Sequence, residues 1–150
     1  MVRIAHYHSA EFHPAPLGFE AGTPAIGPVI ALGASLAYLE SLDPAACLAH
    51  EQALHAHLLT GLRARDGVRL LGAPEAALTS FVVDDVHPAD LAQLLGDQGV
   101  AVRGGSHCAM PLYERIGLPG SVRVSLALYN NGDDLARFFQ ALDQALELLR

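Results

Sequence analysis

From Thr23 to about Leu42 the chain is apolar on nearly every side of a helical wheel, through Ile26, Val29, Ile30, Leu32, Leu36 and Leu39. A helix without a polar face must be buried. In a chain of only 150 residues, part of its cover has to come from another domain or a second subunit. No apolar run reaches the roughly 20 residues needed to span a bilayer, so no membrane association is expected. Thr23 reads as the N-cap of this helix, with Pro24 at its first position. Residues 1–24 before it, rich in His, Pro and Gly, show no sustained period and read as an extended arm and loop.

Beyond that helix, longer amphipathic stretches alternate with short strand-length runs. Asp43-Pro44 restarts a helix that runs to about Arg65, with Cys47, Leu54, Leu58, Leu59 and Leu62 on its inner stripe. Val68 to Leu71 and Leu78 to Val83 read as strands. His87-Pro88 opens a helix with Leu91, Leu94 and Leu95 inward, stopped by Gly99. Val100 to Arg103 reads as a third strand, and a Gly-rich loop with one short helical turn extends from Gly104 to about Ile116. Val122 to Leu128 alternates with period two and is a fourth strand. Asn130-Asn131, with Asp133 and Asp134, caps a last helix whose inward stripe is Leu135, Phe138, Phe139, Leu142, Leu146 and Leu149. Four short strands are too few for a full parallel sheet. The expected fold is α+β, with helices packed on a small, mainly antiparallel sheet over residues 25–150.

The side chains narrow the chemistry. Half of the residues are hydrophobic (51%), enough apolar surface to form a core rather than a disordered chain. A formal charge of −7 lacks the basic footprint that phosphate backbones require, so nucleic acid is not an expected partner. All nine basic residues are arginine, and only a lysine amine makes the Schiff bases used by many carbonyl cofactors. Two cysteines make no disulfide framework, and a reducing cytoplasm is expected. Cys47, in an Ala-rich helical pattern, reads as a small core hydrophobe. Of the eight histidines, His6, His8 and His13 share a loose arm, His50 and His55 miss the i, i+4 spacing of a zincin helix, and His55 and His57 face different ways. No metal site is expected, and these histidines read as solvated surface groups.

The densest chemistry lies in Val102-Arg103-Gly104-Gly105-Ser106-His107-Cys108-Ala109-Met110-Pro111-Leu112. Two glycines after a strand let the backbone turn tightly and present Cys108 at a loop tip. Arg103 and His107 stand close enough in sequence to favour its thiolate, the nucleophilic form. Arg123, on the polar side of its strand, calls for an anionic partner, and its planar fork suits a carboxylate. A structural ion pair with one of the 16 acidic residues meets that requirement equally well.

The Val102–Leu112 segment, followed by Val122-Arg123-Val124-Ser125-Leu126-Ala127-Leu128-Tyr129-Asn130, resembles the C-terminal signature of group II, Suf-type cysteine desulfurases of the class V aminotransferase family. Glu20-Ala21-Gly22-Thr23-Pro24 resembles a further motif of the same enzymes, and the three stand in family order. The resemblance implies the C-terminal small domain of a fold type I pyridoxal phosphate transferase, active on L-cysteine in sulfur metabolism and iron–sulfur cluster assembly. It implies that Cys108 attacks the substrate sulfur and carries it as a persulfide, that Arg123 binds the substrate carboxylate, and that Arg103 and His107 lie at the substrate site. It further implies that Gly22 and Thr23 reach the cofactor phosphate of the partner subunit in a homodimer, at a helix start where unpaired N–H groups attract anions. A sulfur-acceptor protein is an implied partner.

Two departures from the family pattern stand out. Gly104 occupies a position where the family commonly has threonine, and a more mobile loop is expected there. The large N-terminal domain, with its Schiff-base lysine, has no counterpart, and Met1 falls at a point internal to the longer enzymes. The isolated chain is therefore expected to show no desulfurase turnover without a chain that supplies the missing half. The alternatives are a non-catalytic binding or dimerisation module, a fragment, or another class V relative that does not depend on Cys108.

Overall fold

A computed structural model describes all 150 residues. They form two compact units, Met1–Asp43 and Pro44–Arg150. The helix read as the start of the second unit therefore groups with the arm, and the boundary falls at Asp43 rather than at residue 24.

In the first unit, β1 (Val2–Ala5) and β2 (Ala10–Phe12) pair antiparallel, and α1 covers Ile26–Glu40. The helix starts later than its sequence suggests. Thr23 is not its N-cap: that position is Ala25, which offers no capping side chain. The Ile26 N–H bonds the Pro24 carbonyl at 2.8 Å, a tight turn that delays the helix. No residue of α1 is buried, and Ile26, Val29 and Ile30 are each about 60–70% exposed. The apolar side chains of this helix are thus exposed.

The second unit is a four-stranded antiparallel sheet under three helices. Its strands are β3 (Val68–Leu71), β4 (Leu78–Val83), β5 (Arg103–Gly105) and β6 (Ser121–Ser125), in the order β3-β4-β6-β5. The helices are α2 (Pro44–Arg63), α3 (Pro88–Asp97) and α5 (Gly132–Leu149), with the short α4 (Met110–Ile116) after β5. The α+β class read from the sequence is the class observed. Side chains alternate across a strand, so Phe81 and Val83 of β4 and Val122 and Val124 of β6 share one face. On that face they meet Leu54, Leu58 and Leu62 of α2, Leu91 and Leu95 of α3, and Leu135, Phe138, Leu142 and Leu146 of α5. Leu58, Leu62, Leu95 and Leu142 are fully buried, each contributing about 1.5–3 kcal/mol of apolar transfer. Arg123 and Ser121 of β6 consequently lie on the opposite face, away from this helix layer.

Three other readings need correction. The strand expected at Val100–Arg103 begins only at Arg103, because Val100 and Val102 pack against the core as loop residues while the available β6 partners pair with residues 103–105. The strand expected to reach Leu128 ends at Ser125, since its partner β4 begins at Leu78, opposite Ser125. His55 is not a surface histidine: it is 7% exposed, and its Nε2 lies 2.7 Å from the Thr79 hydroxyl in the core.

Candidate functional site

The sheet register builds the site. Antiparallel pairing sets Arg103 directly opposite Arg123, and Gly105 opposite Ser121. Two guanidinium groups therefore project from neighbouring strands on the face remote from the helices, and like charges directly opposite are unfavourable unless an anion lies between them. Gly104, the intervening residue, points the other way. A Cβ there would come within 2.8 Å of Ala92 Cβ and 2.9 Å of the Pro88 carbonyl oxygen. The missing side chain thus lets β5 lie close against α3. The loosening expected from this glycine is replaced by a packing requirement.

After β5 the chain reverses through backbone that only a few residues tolerate. Gly105 has φ +115°, and His107 and Cys108 follow at +53° and +62°. Left-handed dihedrals are uncommon outside glycine and need support from surrounding contacts. The Ala109 N–H closes the turn on the Ser106 carbonyl at 2.8 Å. Gly120 supports it from beneath, since any Cβ at that position would meet the Gly105 backbone at 2.7 Å.

The reversal places Cys108 at an exposed tip and returns its sulfur to the strand it left: Arg103 Nη2 donates to Cys108 Sγ at 3.3 Å. His107 turns inward, its Nε2 lying 2.9 Å from the buried Ser121 Oγ, which is also 2.7 Å from the Tyr113 hydroxyl of α4. Burial holds the His107 pKa below its ordinary value of 6.5, and the charges of Arg123 and then Arg103 push the same way, while the Ser121 main chain opposes them. A neutral imidazole results near neutral pH. Two buried side-chain atoms in the chain have no hydrogen-bond partner, His107 Nδ1 and Arg123 Nε. Both belong to this cluster, and an unsatisfied buried polar atom in a native fold calls for an explanation such as an absent ligand.

Four of the residues singled out from sequence, Arg103, His107, Cys108 and Arg123, thus gather around one loop. Gly22 and Thr23 lie in the turn before α1, in the other compact unit. Ser121 and Tyr113 were not singled out. The signal available for them was weak: a serine opening a strand, and a tyrosine five residues after Cys108 on a short helix. No group of three or more His, Cys, Asp or Glu side chains converges on a point that could hold a metal.

The aminotransferase class-V family model matches residues 1–138. Probable cysteine desulfurases of Pseudomonas putida and Pseudomonas aeruginosa are each 65% identical over the whole chain, which spans only 37% of their length. A crystal structure of an Escherichia coli cysteine desulfurase in an S-sulfonic acid form superposes with a TM-score of 0.90 at 34% identity, over 100% of this chain and 38% of that one. An apo cysteine desulfurase from Thermococcus onnurineus gives 0.86 at 30% identity, over 99% of this chain and 38% of that one. The motifs that suggested a resemblance are thus embedded in similarity over the full chain and in a shared backbone, and the chain belongs to the aminotransferase class-V family.

Proposed function

We propose that this chain is the sulfur-accepting part of a cysteine desulfurase, with Cys108 as the acceptor. The observation that carries the reading is the contact of Cys108 Sγ with Arg103 Nη2, beside two half-buried donor-bearing side chains, His107 and Arg123, that each hold a buried nitrogen without a partner. The guanidinium N–H is directed at the sulfur proposed as the nucleophile. The Arg123 guanidinium suits the carboxylate of L-cysteine, and His107, neutral, stands beside it without adding a further charge.

In the proposed transfer the Cys108 thiolate attacks the sulfur of L-cysteine. An S–S bond forms as the substrate C–S bond breaks, the bonding pair passes to the alanyl carbon, and a proton delivered there completes alanine. Cys108 is left as a persulfide, ready for a sulfur-acceptor protein. Pyridoxal phosphate supplies the electron sink for such a carbon in this family. The residues here do not fit it alone, because the nine basic side chains are all arginine and no lysine amine exists to anchor it. The exposed apolar α1 and the Gly22–Thr23 turn are the surfaces proposed to meet what is missing, either a lysine-bearing chain or a second subunit whose cofactor phosphate Thr23 reaches. A cytoplasmic setting suits two free cysteines; no helix is long and apolar enough to cross a membrane.

The test is complementation. Mixed with a chain carrying the lysine domain, this protein is expected to yield alanine from L-cysteine and to gain one sulfur on Cys108 by mass spectrometry, and Cys108→Ser is expected to gain none. Binding of the two chains without alanine release, from the wild-type protein, would favour a non-catalytic dimerisation module instead, which the missing lysine also fits.

A further inference from the structure

Behind the Cys108 loop, Tyr113, Ser121 and His107 form a hydrogen-bonded chain that leads inward from the reactive turn. Ser121 is fully buried and Tyr113 is 6% exposed. Ser121 Oγ lies between the Tyr113 hydroxyl, 2.7 Å away, and His107 Nε2, 2.9 Å away. The two aromatic rings also meet as a tilted pair, 6.0 Å apart at 58°, and the serine hydroxyl joins their polar atoms. Ser121 itself is fixed by the sheet, opposite Gly105, and by the close passage of Gly120 over the Gly105 backbone.

Proton counting gives the chain a direction. A hydroxyl has one proton, and a neutral imidazole has one N–H and one bare nitrogen. If Tyr113 donates to Ser121, the Ser121 proton is donated to His107 Nε2, and the ring proton resides on Nδ1. Only one buried group, Nδ1–H, is then left without a partner. In the reverse direction the Tyr113 proton and the bare Nδ1 would both be left over. Each unsatisfied buried group costs its desolvation, so the first direction prevails.

We propose that Tyr113 and Ser121 are positioning residues for Cys108: their hydrogen-bonded chain to His107 Nε2 fixes His107 as its Nδ1–H tautomer and holds the left-handed His107–Cys108 turn that sets the sulfur against Arg103. His107 is the grip because it directly precedes Cys108 and shares its left-handed backbone, with φ +53° and +62°. Without an anchored imidazole, both residues relax toward ordinary dihedrals and the sulfur moves off the guanidinium. Nδ1–H, kept free by the same chain, remains a donor for an acceptor that enters beside Arg123. This inference deepens the sulfur-acceptor reading and rests on it for its purpose, but not for its geometry.

The test uses the full chain with isotope-labelled histidine at about pH 8, above the ordinary imidazole range. The His107 ring signals are assigned by their loss in His107→Gln. The wild-type ring is expected to show the Nδ1–H form alone; Ser121→Ala is expected to show a mixture, and Tyr113→Phe an intermediate shift, since the serine proton then loses its fixed direction. In parallel, alkylation of Cys108 near neutral pH is read by peptide mass, with Cys47 as internal reference. Ser121→Ala is expected to slow Cys108 about threefold to tenfold, the effect of a lost hydrogen bond, with Cys47 unchanged. A purely structural role would lower thermal stability and speed both cysteines, leaving the tautomer alone. A wild-type ring protonated on Nε2, or variants with an unaltered tautomer and unaltered Cys108 rate, would overturn the proposal. Should Ser121→Ala fail to fold, Tyr113→Phe, which keeps the ring volume, decides by the same two readouts. Neither readout needs turnover, so absence of persulfide in the complementation experiment would defeat the functional reading and leave this one standing or falling by itself.

Discussion

Arg103 Nη2 reaches Cys108 Sγ at 3.3 Å although five positions separate the two residues, because two left-handed residues fold the loop back over its own strand. Both partners are exposed, so solvent screens the contact and its worth is about 0.5–1 kcal/mol rather than that of a buried pair. Arg103→Ala is expected to slow alkylation of Cys108 about twofold to fivefold, with Arg103→Lys intermediate because lysine is a point charge without the planar fork. An unchanged rate in Arg103→Ala, measured against Cys47 in the same sample, would show that the contact does not govern the sulfur.

Gly104 is expected to resist replacement by threonine. The Ala92 methyl and the Pro88 carbonyl are both short and inflexible, and they would meet any Cβ at 2.8 and 2.9 Å. Gly104→Thr should therefore push β5 away from α3 and destabilise the protein by about 1–3 kcal/mol, the usual penalty of overpacking. Denaturant unfolding measures it directly. A variant as stable as the parent would mean that α3 shifts freely, and that the glycine has no packing reason.

How much of this was readable beforehand depended on whether a feature is local. The α5 stripe of Leu135, Phe138, Leu142 and Leu146 and the Asn131 cap are set by residues within one or two turns, and period and capping chemistry revealed them. The Gly-rich approach to Cys108 was legible for the same reason. Strand β5 was misplaced by three residues because Val100 and Val102 carry an apolar strand signal, yet the ladder is decided by where β6 offers partners. His55 looked like a surface residue because its partner, Thr79, lies 24 positions away on another element. Ser121 and Tyr113 were invisible for the same cause: their role exists only once α4, β6 and the loop are brought together.

The buried His55–Thr79 pair makes stability depend on pH. Burial lowers the His55 pKa from 6.5, and His107 is lowered likewise. Between the folded values and 6.5 the unfolded chain binds more protons than the folded one, so stability rises with pH there. Stability is thus complete above 6.5 and is lost as pH falls through the folded values. Thermal unfolding followed from pH 7.5 to 5, with both numbers about the ordinary imidazole range, is expected to show a falling Tm. Thr79→Val should also lower stability at neutral pH by about 1–3 kcal/mol, because it leaves His55 Nε2 buried without a partner. A flat profile would mean that both rings are protonated as easily in the fold as outside it.

The final helix depends on a reciprocal cap that acid should undo. Asn131 Oδ1 accepts from the Asp133 and Asp134 N–H groups at 2.8 and 3.2 Å, and the Asp134 carboxylate accepts from the Asn131 N–H at 3.1 Å. The Asn130 side-chain amide and the Asn131 N–H hold the Asp134 pKa below 3.8, with Arg137 adding to them and slight burial opposing. A lowered carboxylate stabilises the fold above its unfolded pKa and ceases to do so as pH falls through the folded one, so this cap weakens only below pH 3.8, well under the histidine window. Asn131→Ala removes the acceptor for two helix N–H groups and is expected to destabilise by about 1 kcal/mol, while Asn131→Ser should recover most of it. Hydrogen exchange of the first-turn amides of α5 locates the effect: faster exchange at Asp133 and Asp134 in the alanine variant is expected, and exchange unchanged from the parent would mean that the cap holds nothing.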